Sequence, residues 1–503
     1  MLPPSPMEWL PEGHLAYFVL ELVRELDVSR IEDAIQSKDG RGTRPYSPRM
    51  MTALLLYAYC VGIFSSRKVE RATYEDVAFR VLAGGEHPHF TTVNLFRLEH
   101  RDALSALFVQ VLKLCARAGL STVGHVSLDG SKVQANASKH KAMSYGRMKE
   151  EDKRLSAEIE ALLFRADQTD RREDEQYGCD GRADELPEEF QRRDARLRRI
   201  REAKAALEKE AAEARAAQLR ALATTQQQQA EVARDATERK TAATRAAKSR
   251  QQADELSPKS DDDDDDQGGG SVATELPSHR VPATAQGEPT DKAQRNFTDP
   301  ESCIMVRNGV FLQAYNAQAV VSESQVIVAH AVTNQPPDQE HLVPMLERVR
   351  EHCGRLPEVL SADTGYWSEQ NAAYCEAHGL DAYIAVGRKD HEGKLGRLPM
   401  TQAQEARWRM HQKVTSAEGR PIYARRKGIV EPVFGQIKQA LGFRRFSLRG
   451  LAKLGAEWGT LCLCHNLLKL YRATRAGQTV ASGWQQPNAA PALRRSRARK
   501  RAL

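Results

Sequence analysis

His125-Val-Ser-Leu-Asp129-Gly-Ser-Lys-Val-Gln-Ala-Asn-Ala137 is the stretch on which the fold turns. His125 to Asp129 reads as a short apolar strand ending in a carboxylate, Gly130 allows a turn, and Lys132 to Ala137 continues extended. Glu358-Val-Leu-Ser-Ala-Asp363-Thr-Gly-Tyr366 has the same form, an apolar run closed by an aspartate. A third acid, Glu431, opens the amphipathic stretch Ile429-Val-Glu431-Pro-Val-Phe-Gly-Gln-Ile-Lys438. Alone, each acid has a plainer reading. An aspartate near a glycine is usually a turn residue, and a glutamate at a helix start favours the helix dipole. Together, two carboxylates at strand ends and one on a helix can converge on a pair of divalent cations. Hard oxygen ligands suit Mg²⁺, and two such ions clamp the attacking and leaving oxygens of a phosphodiester.

Working outward from these runs, Phe311 to Val321 and Gln325 to Val332 read as a hairpin, His341 to Cys353 as a helix, and Glu358 to Ala362 as a strand. Ser368 then caps a helix over Glu369 to His378, and Asp381 to Val386 is a further strand. Strand, hairpin, helix, strand, helix, strand and a last helix carrying Glu431 is the order of an RNase H-like mixed sheet. The fold class expected is therefore α/β. An RNase H-like catalytic domain, in two parts over 122–145 and 296–471, is interrupted by a helical insertion and preceded by an all-α domain.

Residues 1–121 read as helical. Ser47-Pro48 starts a helix over Met50 to Val61, a second follows from Arg67 to Ala72, and Thr73 to Asp76 resembles an N-cap. Thr91 and Thr92 are expected to cap one long helix from Val93 to Ala118, with Leu95, Leu98, Leu107, Val111 and Leu114 on its apolar face. Short helices with tight turns suit a helix-turn-helix DNA-binding module; an ordinary bundle used for dimerisation is the alternative. The insertion, 146–295, reads as an antiparallel helical hairpin from Lys153 to Ala166 and from Glu188 past Ala217. A solvated linker follows, holding Asp261 to Asp266 and Gly268 to Gly270. Six like charges in a row repel one another, so this run is a spacer rather than a metal site.

Composition bounds the partners. The net charge is +7 with a pI near 8.9, and Arg494 to Arg501 in the tail 472–503 carries six cations in eight residues. That favours an anionic partner. The eight cysteines are scattered among apolar residues, which suits packed thiols in a cytosolic protein rather than a disulfide framework. Cys462-Leu-Cys464-His465 has the wrong spacing for zinc and reads as a helix face. Neither a signal peptide nor an apolar run long enough to span a bilayer is evident, so no membrane partner is expected.

Several stretches together resemble one family. They are Tyr46-Ser-Pro48 with Leu54 to Tyr59 and Ser65-Ser-Arg67; Leu128-Asp129-Gly-Ser-Lys-Val-Gln-Ala-Asn136-Ala-Ser138; Tyr315-Asn-Ala-Gln318; and Ala362-Asp363-Thr-Gly-Tyr366. Arg425-Arg-Lys-Gly-Ile-Val-Glu431-Pro-Val-Phe-Gly-Gln-Ile-Lys438, Gly442-Phe-Arg-Arg-Phe446 and His465-Asn466 complete the set. The chain thus resembles the DDE transposases of bacterial insertion sequences, in the group with a helical N-terminal domain. The resemblance implies that Asp129, Asp363 and Glu431 are a catalytic triad binding two Mg²⁺ ions, with Mn²⁺ as a substitute. It implies nicking at the element end, followed by attack of the freed 3′-hydroxyl on target DNA. Related enzymes carry a Tyr, Arg, Glu, Lys signature, which Tyr423, Glu431 and Lys438 match. Arg426 has the residue type of the basic position and Lys427 its offset, so both are taken jointly as phosphate contacts. Glu431 and Lys438 stand seven apart, about two turns, and are expected on one face. Arg444 and Arg445, beside Phe443 and Phe446, form a basic surface for the DNA backbone. The partners implied are double-stranded DNA, as terminal inverted repeats and target, and a second copy of the chain in a homodimer or larger synaptic assembly. The place implied is the bacterial cytoplasm, at the nucleoid. A catalytically inactive DNA-binding scaffold and a nuclease without strand transfer are the rival readings.

Overall fold

A computed structural model describes residues 6–37, 45–177, 188–233, 235–257, 275–387 and 402–476. The loop 178–187, the aspartate run Asp261 to Asp266, Gly268 to Gly270 and residues 477–503 of the basic tail lie outside them, while the tail's first residues, from 472, continue α15 to Arg475. The N-terminal part is helical: α1 (Leu15–Glu25), α2 (Ser29–Gln36), α3 (Pro48–Cys60), α4 (Ser66–Glu75), α5 (Val77–Leu82), α6 (Phe90–Glu99) and α7 (Arg101–Arg117). Ser47 caps α3 by accepting from Met50 N, with Pro48 in the first turn. Asp76 caps α5 through Ala78 N and Phe79 N. The single long helix expected from Val93 to Ala118 is instead two. His100, at φ −103° and ψ 20°, breaks it, and its ring packs edge-on against Phe96 at 4.8 Å. The cap of α6 is His89 rather than Thr91 or Thr92, and Leu95 faces solvent.

β1 (His125–Gln134) runs straight through Asp129-Gly130, where a turn was expected. Gly130 stays extended because it pairs with Gln318 across the sheet, and the space its side chain would need is already filled. β2 (Ala142–Ser144) leads into the inserted helices α8 (Tyr145–Tyr177), α9 (Glu188–Val232) and α10 (Ala236–Leu256), and β3 (Gln294–Asn296) pairs with β2 as the chain returns. α8 and α9 share an apolar core of Met148, Leu155, Leu197, Ile200 and Leu207. Lys204, which interrupts the apolar spacing of α9, reaches Asp152 of α8 at 3.4 Å. The polar stretch between Gln229 and Asp261, helical-looking in the sequence, is α10. Its alanine face buries Ala246 and Ala253, and Ala253 packs on Ala216 and Leu219 of α9. Small side chains let two helices approach where bulky apolar residues are lacking. Order also resumes before the expected Asn296, with Val281 and Ala293 already buried.

β4 (Cys303–Arg307), β5 (Val310–Ser322), β6 (Ile327–Thr333), α11 (Leu342–Cys353), β7 (Val359–Ala362), α12 (Glu369–Ala377) and β8 (Asp381–Ile384) follow. The main sheet runs β4-β5-β1-β7-β8, with β6 also on β5. Through β6 this is the RNase H-like order: β5 is antiparallel to β1 and β6, while β1, β7 and β8 are parallel. The edge strand β4 was not foreseen; Asn308 and Gly309, both at positive φ, turn it into β5. The chain ends in α13 (Gln402–Thr415), α14 (Gly419–Gly435), a π-helical turn over Gln436–Ala440, and α15 (Leu451–Arg475). α15 is buried on most sides, with α3 and α7 on one flank and β6 on the other. Cys462 and Cys464 lie inside it, and Cys464 Sγ points to Leu56 O of α3 at 3.5 Å. The N-terminal helices and the sheet therefore share one contiguous core. No helix among the described residues is long and apolar enough to cross a membrane.

Candidate active site

β1 and β7 are parallel neighbours with Leu128 level with Ala362. The next residue of each chain is an aspartate, so Asp129 and Asp363 stand side by side at the sheet's centre. In open α/β sheets the carboxyl ends of parallel strands are where sites form, because backbone and side chains there converge without obstruction. Asp129 Oδ1 accepts from Gly130 N at 2.8 Å, and Asp363 Oδ1 from Gly365 N at 2.9 Å, capping a short turn over Thr364–Tyr366. Burial raises the pKa of Asp129 to about 6. The guanidinium of Arg426 opposes that shift, and the charge of Asp363 adds to it.

α14 lies across this face of the sheet. Arg426 points inward, with Nη1 3.2 Å from Asp129 Oδ2 and Tyr423 hydrogen-bonded to its side chain. Lys427, the other half of the joint assignment, is exposed. Pro432 has no N–H to offer Gly428 O four residues back. That carbonyl accepts from Gln325 Nε2 at 3.0 Å instead, pinning α14 to the β5–β6 turn. The π turn then takes one extra residue, so side chains beyond it are offset by roughly 100° from an α-helical course. Lys438 turns inward to Ser131 Oγ, two residues from Asp129, whereas Glu431 is exposed. The seven-residue spacing thus does not hold the two on one face. Among the described residues no three His, Cys, Asp or Glu side chains are grouped closely enough to hold an ion. The structure brings together Asp129, Asp363, Arg426 and Lys438, and leaves Glu431 outside that group.

Beneath the two aspartates, on the opposite face of β1 and β5, lies a further acid, Asp338, just ahead of the turn that leads into α11. Asp338 Oδ1 accepts from Asn316 Nδ2 at 2.6 Å, Gln318 Nε2 at 2.8 Å and Lys132 Nζ at 3.1 Å. His341 Nδ1 stands 3.7 Å away. Gln318 Oε1 in turn accepts from the hydroxyl of the fully buried Tyr366. Asn316 and Gln318 belong to a quoted motif, yet nothing in the sequence links them to Asp338.

Arg444 and Arg445 are exposed beside the site, with Arg445 bridged to Gln134 at the end of β1. Arg444 Nε donates to Lys438 O at 3.3 Å. Phe443 and Phe446 are core residues packed edge-to-face at 5.4 Å, and they anchor this segment. Arg307 was also missed: from the end of β4 it donates to Lys132 O at 3.2 Å, and burial, with the charge of Arg307 added, lowers the pKa of Lys438.

A family model described as "Transposase DDE domain" matches residues 294–467, and one described as "Transposase domain (DUF772)" matches residues 4–99. The first spans Asp363 and Glu431. Asp129 lies between the two, on the strand that the matched region surrounds. No curated protein and no solved structure matches the chain.

Proposed function

Because the chain belongs to the DDE transposases of insertion sequences, we propose that it cleaves DNA at the ends of its element and transfers the freed ends to target DNA, with Asp129, Asp363 and Glu431 as the reacting centre's carboxylates. The observation that carries this reading is the placing of Asp129, midway along β1, beside Asp363, just past the end of the adjacent parallel strand β7. Asp129 and Asp363 offer hard carboxylate oxygens, the donor type a divalent cation takes, and the guanidinium of Arg426, 3.2 Å from Asp129 Oδ2, already supplies positive charge there. Transposases of this family use divalent metal ions. Asp129 and Asp363 would hold them, with Glu431 as third ligand once its side chain is turned inward. Bound Mg²⁺, as two ions, or Mn²⁺ in its place, supplies charge neutralisation and an activated oxygen nucleophile.

The chain's own residues position the DNA. Arg426 and Lys438 bring cationic groups to the level of Asp129 and Ser131, where the non-bridging oxygens of a phosphate carry charge. Tyr423 steadies Arg426. Lys427, Arg444 and Arg445, exposed along the same side, contact the flanking backbone, a salt-sensitive term without sequence preference. Hydrolysis breaks the phosphodiester at the element end and leaves a 3′-hydroxyl. Attack of that hydroxyl on a target phosphodiester forms the new bond and expels the target's own 3′-oxygen. Two ends are joined, so the working form is a homodimer or larger assembly on DNA, in the cytoplasm.

The test uses labelled terminal inverted repeats and a target plasmid with Mg²⁺. Wild type yields nicked ends and joined products, while Asp129→Ala, Asp363→Ala and Glu431→Ala yield neither. Equal cleavage by any of the three removes that residue from the triad. Cleavage without joined product leaves a nuclease, and DNA binding without cleavage by wild type leaves a scaffold.

A further inference from the structure

We propose that Asp338 is a positioning residue that fixes the separation of Asp129 and Asp363, and so sets the chain's affinity for divalent cations. This rests on the reading of those two aspartates as cation ligands. The two reach the site from different strands, and neither is held by a direct contact with the other. The backbone ladder between β1 and β7 ends at Leu128 and Ala362, one residue short of the two aspartates, and beyond it a polar network underneath links the two segments. Gly130 is level with Gln318 and Lys132 with Asn316 across β1 and β5, and the three polar side chains converge on one oxygen of Asp338. Gln318 then passes the constraint on by accepting from Tyr366, in the turn that Asp363 caps. Asp338 thereby anchors the strand bearing Asp129 directly, and the turn bearing Asp363 through one intermediary.

The glycines beside both aspartates fit the same account. A Cβ on Gly130 would stand 2.4 Å from Gln318 Nε2 and 3.0 Å from Asp338 Oδ1. One on Gly365 would stand 3.1 Å from Asp363 Oδ1 and 3.4 Å from Asp338 Oδ2. The network needs the room that Asp129-Gly and Asp363-Thr-Gly leave. Asp338 itself is a poor ligand candidate, since its Oδ1 already accepts three hydrogen bonds. Burial pushes its pKa up, but His341, Lys132 and Asn316 outweigh that and hold it at about 2. It is a fixed anion saturated by its own neighbours, which is what an anchor requires.

Mn²⁺ binding to the full-length chain, followed by electron paramagnetic resonance without DNA, tests the role. Partners that orient metal ligands typically contribute 10–100-fold in metal affinity. Asp338→Ala should weaken Mn²⁺ binding by about that range, and Asp338→Asn, which keeps one acceptor oxygen, by less. Gln318→Met leaves Asp338 in place but cuts the link to Tyr366, and should also weaken binding, so the test survives if Asp338→Ala does not fold. Leu346→Ala, a core change in α11, should lower the thermal midpoint without altering Mn²⁺ affinity. Wild-type affinity in both Gln318→Met and a folded Asp338 variant overturns the proposal, as does an equal loss in Leu346→Ala. Asp129→Ala separates the two readings. If it binds Mn²⁺ like wild type, the ligand assignment fails. If it loses binding while the Asp338 and Gln318 variants keep it, only the positioning role fails.

Discussion

Asp129→Asn should make the metal-free protein more stable at neutral pH, by an amount that disappears in acid. Burial lifts the folded-state pKa of Asp129 from 3.8 to about 6. The folded chain therefore holds this proton more tightly than the unfolded chain. Below about pH 3.8 both states are protonated and the shift has no effect on stability. Between there and about pH 6 the unfolded state ionises first, and stability falls as pH rises. Above that window the cost is complete: a shift of roughly two units at 1.36 kcal/mol each is about 3 kcal/mol. Asparagine keeps the shape without the charge, so the pH-dependent part of the wild-type penalty is absent from the variant. The assay is urea unfolding in EDTA from pH 4 to 7.5, followed by tryptophan fluorescence, to which the fully buried Trp458 contributes. The difference between variant and wild type should widen by about 2.5 kcal/mol across that range, and saturating Mg²⁺ should narrow it by binding only the folded wild type. Parallel pH profiles would refute the reasoning, because they would show Asp129 to be an ordinarily solvated carboxyl.

Gly130→Ala places a methyl 2.4 Å from Gln318 Nε2 and should cost about 1–3 kcal/mol of overpacking strain, read as a lowered thermal midpoint. Gly435→Ala, a helical position with open space around it, should be neutral or stabilising in the same assay. Glu457 is buried and accepts from Ser447 N, Ser447 Oγ and Leu448 N; truncating it to alanine strands those donors near Arg97 and should cost about 3 kcal/mol. A cycle combining Glu457→Ala with Arg97→Ala should show the second change costing less in the background of the first, since both side chains meet at Ser447.

The strands that build the site were legible because each announces itself locally. Apolar runs ending at Asp129 and Asp363 have the short length of buried strands, and the hairpin around Ser322 to Gln325 joins two nearly continuous apolar runs that become β5 and β6. What the sequence hid depends on contacts between distant residues. Gly130 reads as a turn until Gln318 stands opposite it. His100 breaks an apolar periodicity that runs on without interruption from Val93 to Ala118, and only the packing of its ring on Phe96 shows why. α10 has almost no hydrophobic signal because its buried face is alanine, which hydropathy hardly registers. Lys438 counts correctly from Glu431 in an α-helix, but the π turn changes the count. Asp338 is held by residues of two other segments, β1 and β5, a convergence that no local pattern encodes.

The shared core bears on how DNA bound by the N-terminal helices would meet the reacting centre. Leu54 and Cys60 of α3, Val111 and Cys115 of α7, and Leu461 and Cys464 of α15 lie in one cluster with the strands. Cys115 Sγ donates to Asn466 O at 3.8 Å, and the Asn466 amide in turn closes both backbone groups of Ile327 on β6. Burial pushes the Cys115 thiol up to about 12, so it stays protonated as a weak donor and an inert packing group. A second tie runs from Arg97 of α6 to Ser447, in the segment that also presents Arg444 and Arg445. Among the described residues, α7 ends at Arg117 and β1 begins at His125, so only residues 118–124 join them. DNA held by the N-terminal helices would then lie at a fixed distance from Asp129, set by α15 rather than by a linker. Cavities opened in that contact, as by Leu461→Ala, should reduce cleavage at the correct position more than they reduce DNA binding. Cleavage lost only in proportion to binding would mean that the helices act through affinity alone.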